Sequence, residues 1–173
     1  MTIEKREAVE TRAEGKKLVG YIATFNNEAR ISDFHETIKP GAFSASLASG
    51  NDILALADHD KAKVLGRTKS GTLRLTEDGH GLRFELDMPD TQAGRDLLAL
   101  AARNDIGGAS FGFSVPEGGD IWNGDKRELR SINLHEVSIV SSWPAYQGTI
   151  VQARSRPDDS RARRIRLLEL GGK

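Results

Sequence analysis

The feature that most narrows the folds open to this chain is Gly107-Gly108-Ala109-Ser110-Phe111-Gly112-Phe113-Ser114-Val115. Side chains alternate along a strand, so Ala109, Phe111, Phe113 and Val115 share one face, and Ser110, Gly112 and Ser114 the other. The apolar face can anchor the strand in a core. The opposite face is stripped of bulk, so a second backbone can approach Ser110.

The remaining segments support a sheet-rich fold. Leu18–Phe25 predicts a first strand, ended by Asn26-Asn27, and Asp33–Ile38 a short second one. Pro40-Gly41-Ala42-Phe43 opens a predicted helix through Leu47, with Gly50 past its end. Ile53–Ala57, running into Asp58-His59-Asp60, reads as a buried strand by its length and β-branched start, a short apolar pattern that a helix also fits. Leu73–Leu75 and Leu82–Met88 alternate apolar with charged residues around the turn Glu77–Gly81, the pattern of a hairpin. Asp90-Thr91 begin a second helix, with Leu97, Leu98, Ala101 and Ala102 at helical spacing and an end near Asn104. Gly118-Gly119 and Asn123-Gly124 bracket Asp120-Ile121-Trp122 as an excursion or a hairpin, Lys126–Ser141 is one long or two consecutive strands, and Thr149–Val151 a last short one. Many short strands with two or three helices predict an α+β class with a mostly antiparallel, barrel-like sheet. Residues 1–16 are polar and charged and read as a loose lead-in, 17–153 as one domain, and 154–173 as a basic tail with a helix capped by Ser160.

Composition closes several routes. There are 25 basic and 25 acidic residues, so net charge demands neither nucleic acid nor a membrane surface. Cysteine is absent, which removes thiolate catalysis, disulfides and cysteine-type zinc sites. No apolar run approaches the roughly 20 residues that span a bilayer. Met1–Lys17 lacks the apolar core of a signal peptide. The basic tail has no interleaved aromatics, so direct nucleic-acid binding is not expected.

A serine becomes a nucleophile when a base takes its proton. His59 ends an apolar run between two aspartates, and a neutral imidazole there can accept and return that proton. Glu136 shares a strand face with Leu134 and Ser138, while His135, Val137 and Ile139 share the other. A carboxylate can hold the far ring nitrogen of His59; His135 is the rival third member, and an anion supports an imidazolium better than a neutral ring does. Taken singly, Ser110 reads as a small residue on a sheet, His59 as a turn histidine and Glu136 as an edge glutamate. Gly108-Ala109-Ser110-Phe111-Gly112 has the G-x-S-x-G form, but that motif needs a sharp turn into a helix, and Phe-Gly-Phe-Ser-Val continues as strand. A metal site would draw on His59, Asp58, Asp60 and His35, which match no ligand spacing. No metal and no other cofactor is expected.

The order and company of these segments carry more than any one of them. Glu36-Thr37-Ile38-Lys39-Pro40-Gly41-Ala42-Phe43 is followed by Asp58-His59-Asp60 and Leu65-Gly66-Arg67-Thr68. Gly108-Ala109-Ser110-Phe111-Gly112-Phe113, Leu134-His135-Glu136-Val137-Ser138-Ile139-Val140 and Pro144-Ala145-Tyr146 come next. This series resembles the prohead (capsid maturation) proteases of tailed bacteriophages of the HK97 type, over about residues 17–153. The resemblance implies a β-barrel flanked by helices, similar to the herpesvirus assemblins, with Ser110, His59 and Glu136 at the serine, histidine and acidic positions. It implies oxyanion donors near Ala145, with Gly148 and Thr149 completing that loop; Pro144 has no N–H to give. It further implies cleavage of scaffold protein, or of a scaffold-like segment of the major capsid protein, inside the prohead in the host bacterial cytoplasm. Self-cleavage and self-association, as a homodimer or larger, accompany that activity. The alternative is a catalytically silent scaffold-binding module on the same fold, and a second is a metal-dependent hydrolase centred on His59.

Overall fold

The computed structural model describes residues 2–8 and 11–141. In chain order the elements are β1 (Glu4–Ala8), β2 (Thr11–Glu14), β3 (Lys17–Thr24), β4 (Glu28–Ile31), β5 (Phe34–Ile38), α1 (Ser44–Ala48), β6 (Leu54–Ala57) and β7 (Asp60–Arg67). They continue with β8 (Leu73–Glu77), β9 (Gly81–Asp87), α2 (Gln92–Ala102), β10 (Gly108–Ser114), β11 (Asp120–Asn123), β12 (Lys126–Leu129) and β13 (Asn133–Val140).

The strands form one five-stranded sheet, β1-β10-β13-β6-β7, and two four-stranded sheets, β11-β12-β5-β4 and β2-β3-β9-β8. Pairing is antiparallel except for β5–β12 and β6–β13. The α+β class holds, but none of these sheets closes on itself among the described residues, so the expected barrel is not formed there: β1 and β7 remain the edges of the large sheet.

Alternation in β10 does what the sequence requires. All seven residues are buried, and Ala109, Phe111 and Phe113 enter the main core with Leu18 and Ile22 of β3 and Leu82, Phe84 and Leu86 of β9. Phe111 stacks on Phe113 at 5.2 Å between centroids and meets Phe43 edge-on at 5.9 Å. Local turn chemistry also holds. Thr91 caps α2 by accepting from Gly94 N, and Leu97 and Ala101 pack inward while Ala102 faces solvent. The first helix starts later than expected, at Ser44, because Lys39–Phe43 make turns before it; Ser46 then anchors it by accepting from the Leu134 N–H.

Two further expectations need correction. The lead-in over 1–16 is not loose: β1 lies against β10 and β2 against β3. Leu134 does not share the face of Glu136. The β10–β13 ladder shifts by one residue at Gly112/Phe113, so His135 is an extra residue and Leu134 falls opposite Phe113, on the core side. Expectations for Thr149–Val151 and the tail from Arg154 lie outside the described residues.

β1 is held by charge. On its core side Arg6 makes a two-pronged contact with Glu36 of β5, Nε to Oε1 at 2.6 Å and Nη2 to Oε2 at 2.8 Å. Arg127 of β12 reaches Glu4 at 2.6 and 3.0 Å and Glu36 at 3.1 Å, while Arg6 also bonds Glu4 at 2.9 Å. All four residues are buried. Burial opposes the charge on Arg127, but hydrogen bonds and attraction from Glu4, Glu36 and Asp120 prevail and hold its guanidinium pKa above the ordinary value. Removing one partner of a buried charge set strands the others. Arg127→Met is expected to lower unfolding free energy by about 3–5 kcal/mol. The exposed pair Arg12–Glu14 can be broken with no shift of the midpoint; urea denaturation of both variants checks the contrast.

Candidate active site

The site is assembled where β6 meets β13. β6 runs parallel to β13 with Ala57 beside Ile139, then turns into β7 through Asp58 and His59. Both turn residues have positive φ, +49° and +59°, as a type I′ hairpin turn requires. Such turns favour Asn and Gly; a histidine held there stores strain of about 1–2 kcal/mol. Asp58 offsets it. Its carboxylate accepts from Ser141 N at 2.8 Å and from Ser141 Oγ at 3.0 Å, and its own N–H donates to Ile139 O at 2.9 Å. The turn is thereby tied to the end of β13.

So held, the His59 ring lies against Glu136, with Nδ1 2.7 Å from Oε1. The carboxylate can only accept, so Nδ1 carries the proton and a neutral ring has Nε2 free to act as a base. Glu136 stands opposite Gly112 across the β10–β13 ladder. A Cβ at position 112 would sit 2.9 Å from Glu136 Cγ and 3.3 Å from Ile3 Cγ2, so the small face of β10 is the space that this carboxylate fills. The hydrogen bond from His59 holds the Glu136 carboxyl below its ordinary pKa, against burial and with help from the charges of His59, Lys5 and Lys61. Lys5, opposite Gly112 on β1, brings Nζ within 3.9 Å of Oε1. A depressed carboxyl pKa stabilises the fold above the unfolded value, and that contribution is lost as pH falls through the folded one.

Ser110 lies two residues from Gly112 on the same face of β10, opposite Ser138. It is 0% exposed, and its hydroxyl has no hydrogen-bond partner among the described residues. The structure therefore brings His59 and Glu136 together, while the Ser110–His59 hydrogen bond is not made. His135, the rival third member, does not join them: displaced by the bulge, its Nε2 lies 2.8 Å from Ser114 Oγ. Ala145, Gly148 and Thr149 lie outside the described residues. The candidate metal set is dispersed, with His35 against Glu28 at 3.0 Å, Asp58 on Ser141, and Asp60 accepting from Ala62 N. Among the described residues no three histidines or carboxylates are grouped to hold an ion.

Two contributors were not read from the sequence as parts of the site. Asp58 holds the turn, and Gly112 makes room for Glu136. The glycine was visible as a gap in the bulk of β10, but its partner was not.

A family model described as caudovirus prohead serine protease matches residues 2–162 of the 173. The match takes in β1 and β2. No curated protein and no solved structure matches the chain.

Gly112→Ala is expected to push Glu136 off His59. Proton NMR should lose the low-field Nδ1–H resonance of a histidine bonded to a carboxylate. The cost to stability is that of an overpacked site, about 1–3 kcal/mol. A retained resonance would mean that the carboxylate does not depend on this gap.

Proposed function

The chain belongs to the caudovirus prohead serine proteases, and on that premise we propose that Ser110 is its nucleophile, His59 its general base and Glu136 the group that orients the base. The observation that carries this assignment is the 2.7 Å contact between His59 Nδ1 and Glu136 Oε1. It fixes the tautomer that a base needs and places an anion where imidazolium charge will form.

In the first half-reaction Ser110 Oγ bonds to the scissile carbonyl carbon as its proton passes to His59 Nε2. The tetrahedral intermediate collapses, and the same proton leaves with the departing amine. Water then gives a proton to His59 and its oxygen to the acyl carbon; Ser110 leaves with the proton restored. Glu136 stays ionised throughout. Ser110 Oγ makes no hydrogen bond among the described residues, and unliganded enzymes often tighten catalytic contacts only with substrate. In this reading the segment after Ser141 supplies an oxyanion donor from near Ala145, with Gly148 and Thr149 completing the loop. Its starting point is set by Asp58, the residue that also sets His59.

The substrates in this reading are scaffold protein or a scaffold-like segment of the major capsid protein, cut inside the prohead in the host cytoplasm, with self-cleavage and self-association. Destroying interior protein makes maturation one-way. A second arrangement, Ser114 with His135, is favoured by the 2.8 Å bond between them. It is the weaker one, because no carboxylate bonds His135 among the described residues.

Co-expression with the capsid and scaffold proteins, followed by mass spectrometry of the fragments, separates the readings. Ser110→Ala is expected to abolish processing and Ser114→Ala to leave it. Glu136→Gln should lower kcat by about 10²- to 10⁴-fold, by analogy with loss of the orienting carboxylate in a serine triad. Processing by Ser110→Ala equal to the parent would overturn the assignment, and complete loss in Ser114→Ala alone would transfer it to the second pair.

A further inference from the structure

Ser138 is fully buried, and its hydroxyl, like that of Ser110, has no hydrogen-bond partner among the described residues. The two residues face each other across the β10–β13 ladder. Thr11 Oγ1 shares this condition, but it lies in a different sheet. Two orphan hydroxyls side by side therefore mark one spot, beside the His59–Glu136 pair.

Each orphan has a cost. A buried polar group left without its hydrogen bond keeps the full penalty of losing water. Alanine would fill the same space at position 138 without that penalty, so shape does not account for the serine. On the other side of β13 the register partner of Ser138 is Leu56, which offers no polar side chain. The near hydroxyl is that of Ser110. Directly opposed residues on antiparallel strands have Cβ atoms about 4.5–5.5 Å apart, a separation that serine hydroxyls bridge by turning about χ1.

We infer that Ser138 is a positioning residue, whose hydroxyl donates to Ser110 Oγ and holds it in the rotamer that points its proton at His59 Nε2. The inference rests on the assignment of Ser110 as nucleophile. No covalent step involves Ser138. Its hydrogen bond leaves the Ser110 proton for His59 and fixes a hydroxyl that no other hydrogen bond holds among the described residues. The two bonds are missing in the resting arrangement and form together when Ser110 turns. The cost of two unsatisfied hydroxyls in the resting state is then recovered when the reacting row assembles.

The test uses the full chain and a fluorophosphonate probe, which reacts when serine Oγ displaces fluoride from phosphorus. Ser138→Ala is expected to slow labelling of Ser110 by about 10- to 100-fold, the penalty for misplacing a reacting atom. The midpoint of the labelling pH profile should stay where it is, because His59 and Glu136 are untouched. The melting temperature should hold or rise, because an unsatisfied hydroxyl has been removed. Ser138→Cys, which supplies a weaker donor of similar shape, should recover part of the rate. Unchanged labelling in Ser138→Ala would overturn the inference. So would a slower rate accompanied by a shifted pH midpoint or a lower melting temperature, the marks of a structural role. Ser110→Ala runs beside it: loss of labelling there with full labelling in Ser138→Ala defeats only the role of Ser138. Persistent labelling in Ser110→Ala defeats the nucleophile assignment itself.

Discussion

The hydrogen bond between His59 and Glu136 depends on a side chain that is absent. Gly112 leaves the gap into which the Glu136 carboxylate fits, and a single Cβ there would meet Glu136 Cγ at 2.9 Å. From this contact follow the tautomer of His59, the depressed pKa of Glu136 and the direction in which the free ring nitrogen is offered. The register of two neighbouring strands is thus part of the chemistry. A one-residue slip would turn both Glu136 and Ser138 into the core.

That register is protected from the outside. β10 is flanked by β13 on one side and by the N-terminal strand on the other, and Arg6, Glu4, Glu36 and Arg127 lock the latter in place. Four buried charges are a poor route to stability, since apolar residues of the same volume can do as well. What they supply is discrimination: a strand displaced along β10 would leave carboxylates and guanidinium groups buried without partners. Arg6 also lies over the Phe113 ring at 5.3 Å, so the same side chain touches the core face of the strand that bears Ser110.

Several departures from low energy lie near the site, while others lie apart from it: Asn26, Ser32 and Asn104 also hold left-handed backbone, and Thr11 an unsatisfied hydroxyl. Asp58 and His59 hold left-handed backbone conformations, Ser110 and Ser138 hold unsatisfied hydroxyls, and β13 bulges at His135. Strain and unpaired polar groups persist where the surrounding structure over-determines them, and clusters of this kind are common at sites that do chemistry.

Much of this was legible from residues alone. Alternation in Gly107–Val115 determined which side chains enter the core, and Thr91, Asn123-Gly124 and Glu77–Gly81 marked a helix cap and two turns, because these depend on neighbours within a few positions. Ser110, His59 and Glu136 could be named as candidates by chemistry and by family resemblance. Only the tertiary structure decided that His59 meets Glu136 and that His135 turns to Ser114. It also decided that residues 4–8 form a strand rather than a loose lead-in. Each of these depends on a strand pairing between distant segments, and on a bulge that exchanges faces midway along β13. Local sequence carries no record of which partner a strand edge will find, or of where a ladder slips by one residue.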